Sequence, residues 1–175
     1  MNINQIVNEL EHEVRIIPYS DLHVSELIDS DKIIISPGPG HPDEYTKYKD
    51  ILSQNKASKS FLGICLGMQI IGQYFGCKVK HCYLTEHGKQ SKNIIISTTP
   101  LFYGIPDYSI IGRYHSWSLD KNTMPGDLIV NSISEDGEIM SISHKLYSIF
   151  GVQFHPESYI TEFGSKIIEN WILSK

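Results

Sequence analysis

The sequence predicts an α/β fold: a largely parallel central sheet flanked by helices, with an additional small antiparallel sheet, in a single domain over residues 1–175. Three observations predict it. Up to Gly76, short β-branched or apolar runs alternate with segments of helical spacing, the order expected of strands joined by crossover helices. Beyond Gly76, strand-like runs follow one another with little helix between them, which suits an antiparallel set. Finally, 41% of the residues are hydrophobic and 20% charged, a balance that supports a packed core and not a disordered chain.

Taken in order, Asn4 to Glu11 spaces Ile6, Val7 and Leu10 as one face of a short helix. Val14 to Ile17 reads as a strand. Asp21 to Ile28 has helical spacing, with Ser20 or Asp21 as its cap. Lys32 to Ser36 is a strongly β-branched strand, and it runs into Pro37-Gly38-Pro39-Gly40-His41-Pro42, too rich in Pro and Gly for helix or ladder. Asp43 to Ser53 is predicted helical, with Tyr45, Tyr48, Ile51 and Leu52 inward. Phe61 to Ile64 is a buried strand, followed by a helix that carries Leu66, Ile70, Ile71, Tyr74 and Phe75 on one face and is stopped by Gly76. Further strands are expected over residues 77–81, 93–97, 109–115, 128–134, 139–144 and 148–154. Asp136-Gly137 signals a hairpin turn between two of them. Residues 162–173 close the chain as a helix that buries Phe163, Ile167, Ile168, Trp171 and Ile172.

A net charge of −5 gives no support to binding of nucleic acid or of an anionic membrane. No apolar run reaches membrane-spanning length, and the opening Met1-Asn2-Ile3-Asn4-Gln5 lacks the basic and apolar regions of a signal peptide. Three cysteines (Cys65, Cys77 and Cys82) form no C-x-x-C pair, and their odd number speaks against a disulfide framework, pointing to a reducing cytoplasm.

The chemistry concentrates around Gly63-Ile64-Cys65-Leu66-Gly67. This is the cysteine form of the G-x-S-x-G nucleophile elbow, in which small flanking residues permit a sharp strand-to-helix turn. Such a turn places the thiol at a helix N-terminus, where partial positive charge favours thiolate. The plain alternative is a buried cysteine between two packing glycines. A nucleophilic cysteine needs a base, and the base needs a third group to hold it. His155-Pro156-Glu157 offers both, because residues two apart on extended backbone point to the same side. A polar strand end facing water is the alternative there. A metal site is weaker, since no third ligand lies nearby in sequence. For an oxyanion, the backbone N–H of Leu66 is one donor, and the N–H of Gly40 or Gly38 a second; Pro39 has none. The same loop lacks the lysine-serine ending and the spacing of phosphate-binding loops.

These pieces resemble the class I (triad-type) glutamine amidotransferases and, more narrowly, the glutaminase subunit (component II) of anthranilate synthase and aminodeoxychorismate synthase. The resemblance rests on Ser36-Pro37-Gly38-Pro39-Gly40, the stretch from Gly63 to Gln69, His87-Gly88-Lys89, Gly112-Arg113-Tyr114-His115-Ser116 and the stretch from Gly151 to Ser158, in family order along nearly the whole chain. It implies that Cys65, His155 and Glu157 hydrolyse glutamine without a metal or cofactor, and that Gln69 with the backbone around Ser116 and Trp117 holds the substrate. It also implies that ammonia passes to a chorismate-binding synthase subunit (component I), with His87-Gly88-Lys89 toward that interface.

The resemblance further implies an apolar first strand and a turn before the first helix. Both are missing at this start, so a weakly held first helix is expected. Gln90 replaces the usual Thr, and Trp117 the usual Leu. Three other functions share these features: a glutaminase serving another synthase, a γ-glutamyl hydrolase, and a catalytically inactive interaction subunit.

Overall fold

The structure, a computed structural model, describes residues 2–82 and 88–174. A seven-stranded sheet forms its centre, in the spatial order β1-β2-β9-β8-β7-β4-β5. Strands β1 (Lys32–Ile35), β2 (Ser60–Ile64) and β9 (Ile149–Val152) run parallel to one another. From β9 outward every pairing is antiparallel, through β8 (Ile139–His144), β7 (Leu128–Ser134), β4 (Lys89–Ile95) and β5 (Tyr108–Arg113). The second-half strands thus extend the parallel part in one continuous sheet. The separate small sheet pairs β3 (Val79–His81) with β6 (Trp117–Leu119), antiparallel.

Alternation along the central strands divides the core between two faces. Phe61 and Ile149 point into one cluster, with Ile51 and Leu52 of α2 (Lys47–Asn55) and Met68 and Ile71 of α3 (Leu66–Tyr74). Leu62, Ile64, Phe150 and Val152 point the other way, onto Ile167 and Trp171 of α4 (Gly164–Leu173). Phe61, Leu62 and Ile64 are completely buried, and full burial of such side chains stabilises by roughly 1.5–3 kcal/mol each. Helix α1 (Ile3–Glu9) adds Ile6 and Val7 to a smaller cluster with Ile168 of α4.

Several expectations are corrected. Val14 to Ile17 forms no strand: with no ladder partner its backbone is irregular, and Ile16 is 70% exposed. The helical spacing over Asp21 to Ile28 resolves into two 3-10 turns, Tyr19–Asp21 and Val24–Leu27. Another 3-10 turn, Pro42–Glu44, precedes α2, so the helix expected from Asp43 begins at Lys47. Strand β4 starts at Lys89, four residues before the apolar run that marked it, because its polar first half is held by β5.

The parallel arrangement is what assembles a site. Adjacent parallel strands deliver their C-terminal connections to one end of the sheet, the usual location of ligands in α/β folds. Here the loop after β1, Cys65 after β2 and His155 after β9 emerge side by side. Strand β5 joins them although it lies at the far edge of the sheet. The segment after β9 bonds along its outer edge, with His155 N–H donating to Gly112 O (3.2 Å) and Glu162 N–H to Ile110 O (3.1 Å). Among the described residues no helix is long and apolar enough to cross a membrane.

Candidate active site

Cys65 sits at the joint between β2 and α3 with φ +53° and ψ −105°. Positive φ in a residue with a Cβ is strained, at a cost of about 1–3 kcal/mol. The flanking glycines make the joint possible by close approach. A Cβ on Gly63 would stand 2.4 Å from the Gly67 carbonyl carbon, and one on Gly67 would stand 2.0 Å from the Ile35 oxygen. The G-x-C-x-G pattern is therefore a packing requirement of the turn. Cys65 N–H donates to Val152 O (2.8 Å), tying the turn to β9.

After β9, His155 Nδ1 lies 2.7 Å from Glu157 Oε1. The backbone of His155 is held from the other side by Thr161, whose hydroxyl donates to its carbonyl (2.7 Å). Burial acts to lower the basicity of the imidazole. Hydrogen bonds from its ring nitrogens to the Cys65 and Glu157 side chains, and the negative charge of both, outweigh that and raise His155 to about 9. With Nδ1 engaged by the carboxylate, Nε2 is left to face the sulfur. Tyr114 packs edge-to-face on the His155 ring with centroids 5.1 Å apart, and its hydroxyl lies 3.1 Å from Ser158 Oγ. Glu157 Oε2 is buried and has no hydrogen-bond partner among the described residues.

A cleft of about 540 Å³ opens over these groups, lined by the Pro37-Gly38-Pro39 loop, Cys65, His155, Glu157 and Tyr114, with Ser158 and Tyr159 at its side. The Tyr45 hydroxyl fixes the loop by donating to Pro39 O (2.8 Å). Gly38 lines the cleft, whereas Gly40 lies behind it and makes the turn at φ +80°. Leu66, Gln69, Ser116 and Trp117 are not part of the lining. Gln69 is 3% exposed and donates from Nε2 to Trp117 O (2.8 Å), so two of the expected substrate-holding residues are bonded to one another beside the cleft; the Ser116 carbonyl accepts from Cys82 N–H (2.9 Å). His87 lies outside the described residues; Gly88 and Lys89 lead into β4. Among the described residues, no group of three or more His, Cys, Asp or Glu is placed to hold a metal ion.

Two features escaped the sequence reading. Gln153 is fully buried and places Nε2 3.6 Å from Cys65 Sγ. Its signal in the sequence is position alone, directly after β9 and two residues before His155. The extended backbone expected to pair His155 with Glu157 is instead a turn through Pro156, closed by Ser158 N–H donating to His155 O (3.1 Å), and it is this turn that brings the carboxylate to the ring. The second feature is another thiol–imidazole pair, Cys82 Sγ and His115 Nδ1 at 3.2 Å, with Arg113 Nε 3.3 Å from His115 Nε2. Nothing local in the sequence marks it.

Fold and site together define an α/β protein with a cysteine on a strained strand-to-helix turn, an imidazole–carboxylate pair beside it and a glycine loop across the cleft. The chain belongs to the class I glutamine amidotransferase family, whose sequence model, described as "Glutamine amidotransferase class-I", matches residues 1–175. It is 42% identical to anthranilate synthase component 2 of Saccharolobus solfataricus, an alignment covering 98% of this chain and 91% of that one. To aminodeoxychorismate synthase component 2 of Klebsiella aerogenes it is 35% identical, over 98% of this chain and 92% of that one. Among solved structures, a Thermoplasma acidophilum protein assigned to GMP synthase superposes with a TM-score of 0.87 at 27% identity, covering 96% of this chain and 83% of that one. The chain is thus a glutamine amidotransferase of the anthranilate/aminodeoxychorismate synthase type.

Proposed function

We propose that Cys65, His155 and Glu157 act as a catalytic triad that hydrolyses glutamine to glutamate, and that the ammonia is delivered to a chorismate-aminating synthase subunit. The observation that carries this reading is geometric: Cys65 on its strained turn, His155 and Glu157 line one cleft, with His155 Nδ1 2.7 Å from Glu157 Oε1. An imidazole raised to about 9 carries its proton at neutral pH and can hand it on within the site; the nucleophile is the thiolate form of Cys65. The thiolate attacks the side-chain carbonyl carbon of glutamine. The oxyanion that forms is met by the N–H of Leu66, at the start of α3, and by that of Gly38, the loop glycine that lines the cleft. Gly40 holds the turn behind it.

Collapse of the tetrahedral intermediate breaks the C–N bond, and His155 gives its proton to the leaving nitrogen, which departs as ammonia. The γ-glutamyl thioester remains. Water then attacks it, His155 takes a proton from that water, and glutamate leaves as the thiolate is restored. Glu157 keeps Nδ1 protonated and stabilises the imidazolium throughout. Both hydrogens of the Gln69 amide nitrogen are committed to Trp117 O and Gln153 Oε1, so Gln69 acts from beside the cleft by holding these neighbours in place.

Support for the partner comes from the relatives, which are named as components of two-part synthases. The reading is tested by reconstituting Cys65→Ala with the synthase subunit that co-purifies with this chain. Glutamine-dependent amination of chorismate is expected to vanish while ammonia-dependent amination persists. Glutamate release at the parental rate would rule out the assigned nucleophile.

A further inference from the structure

We propose that Gln153 is a positioning residue for the Cys65 thiolate, presenting a side-chain N–H to the sulfur in an orientation dictated by the Trp117 carbonyl. The proposal rests on the glutaminase reading above. The two ends of a glutamine side-chain amide are nearly equal in size, so what Gln153 shows to Cys65 depends on its other contacts. A backbone carbonyl only accepts. Trp117 O, 2.8 Å from the Gln69 amide, therefore obliges Gln69 to turn its nitrogen toward it. That same nitrogen lies 3.1 Å from the Gln153 amide, which must answer with its oxygen. The Gln153 nitrogen is then the end that faces Cys65 Sγ, at 3.6 Å. A chain of obligatory donors and acceptors thus runs from the β6 backbone to the sulfur, and its polarity cannot reverse without leaving a carbonyl facing an oxygen.

The chemical consequence follows from where charge resides. A donor at 3.6 Å interacts more strongly with an anionic sulfur than with a neutral thiol or thioester. The Gln153 N–H therefore favours the thiolate twice, as nucleophile in the first step and as leaving group in the second. Gln153 is completely buried directly after β9, and its backbone N–H donates to Met140 O of β8 (2.9 Å), so the donor is anchored to the sheet.

The test is the pH profile of Cys65 alkylation by iodoacetamide, followed by mass spectrometry of the Cys65 peptide in the full chain, alongside glutaminase kinetics. Gln153→Met keeps the length and removes the donor. The profile midpoint is expected to move up by about one pH unit, and kcat to fall roughly tenfold with little change in the KM for glutamine. Gln153→Glu still accepts from Gln69 but sets a negative charge against the sulfur, so a larger upward shift is expected. Should Gln153→Met fail to fold, Gln69→Met frees the orientation of Gln153 while leaving it in place, and a smaller shift in the same direction is expected. A folded Gln153 variant whose profile coincides with that of the parent would overturn the proposal. A parent protein that releases no glutamate would instead count against the enzymatic reading, since alkylation requires no substrate.

Discussion

Cys65 with His155 and Cys82 with His115 are built from the same two functional groups, yet the fold shifts the two imidazoles in opposite directions. Behind His155 stands a carboxylate, Glu157, at 2.7 Å; behind His115 stands a guanidinium, Arg113, at 3.3 Å. Burial lowers both imidazoles. At His155 the thiol and carboxylate overcome it and carry the group to about 9. At His115 the positive charge of Arg113 adds to burial, and the group falls to about 4. Because Arg113 Nε can only donate, His115 Nε2 accepts, and the proton resides on Nδ1, which donates to Trp117 O (3.0 Å). Cys82 shares the outcome, its thiol pushed up by burial. A cysteine beside a histidine is thus no sign of reactivity by itself. The surroundings of the ring differ, a thiol and a carboxylate at His155 against burial and a guanidinium at His115, and so does access: Cys65 and His155 line the cleft, and Cys82 and His115 do not.

The sharpest way to break this contrast is to exchange the thiols' fates. Cys65→Ala is expected to lower glutamate release by roughly 10³-fold or more, as loss of a nucleophile does in comparable triads. Cys82→Ala should leave the rate within a few-fold of the parent. Equal losses would mean that the two pairs share a role.

Within the reactive pair, His155→Ala should reduce kcat far more than Glu157→Gln, and KM should change less in both. The imidazole must deliver a proton to ammonia, whereas a carboxamide at position 157 still offers an acceptor to Nδ1. Matching losses would show that the three groups act only as a unit.

Stability against pH sharpens the contrast from a different side, with a smaller effect. His155, raised from 6.5 to about 9, contributes stability that is fully present below pH 6.5 and is lost as pH rises through 9. His115, lowered from 6.5 to about 4, contributes stability that is present above pH 6.5 and is lost as pH falls toward 4. Each contribution is at most about 3 kcal/mol by linkage. Urea midpoints should therefore decline on both sides of neutrality. His155→Ala should flatten the alkaline decline and His115→Gln the acid one; the reverse pairing would invert the assignment of the two rings.

The reactive pair was legible in the sequence because its parts are local. Gly63 to Gly67 form one joint, and His155 and Glu157 are two apart in sequence, although a turn and not extended backbone brings them together. The parallel strands were legible for a similar reason, as apolar runs such as Phe61 to Ile64 can only be buried. What stayed hidden depends on distant partners. Cys82 and His115 are 33 positions apart, and Gln153 and Cys65 are 88. The first half of β4, Lys89 to Lys92, is polar and becomes a strand only through its ladder with Ile110 to Arg113. Val14 to Ile17 shows the converse: the composition of a strand without a neighbour to pair with.

The most direct measurement of the central claim, that the partners of the ring and access to the cleft separate a reactive thiol from an inert one, is labelling by a glutamine-analogue electrophile at pH 7 with the adducts mapped by mass spectrometry. The account predicts stoichiometric modification of Cys65, protection by glutamine, strong slowing in His155→Ala, and no adduct on Cys82. Labelling of Cys82 at a comparable rate, or of Cys65 at an undiminished rate without His155, would contradict it.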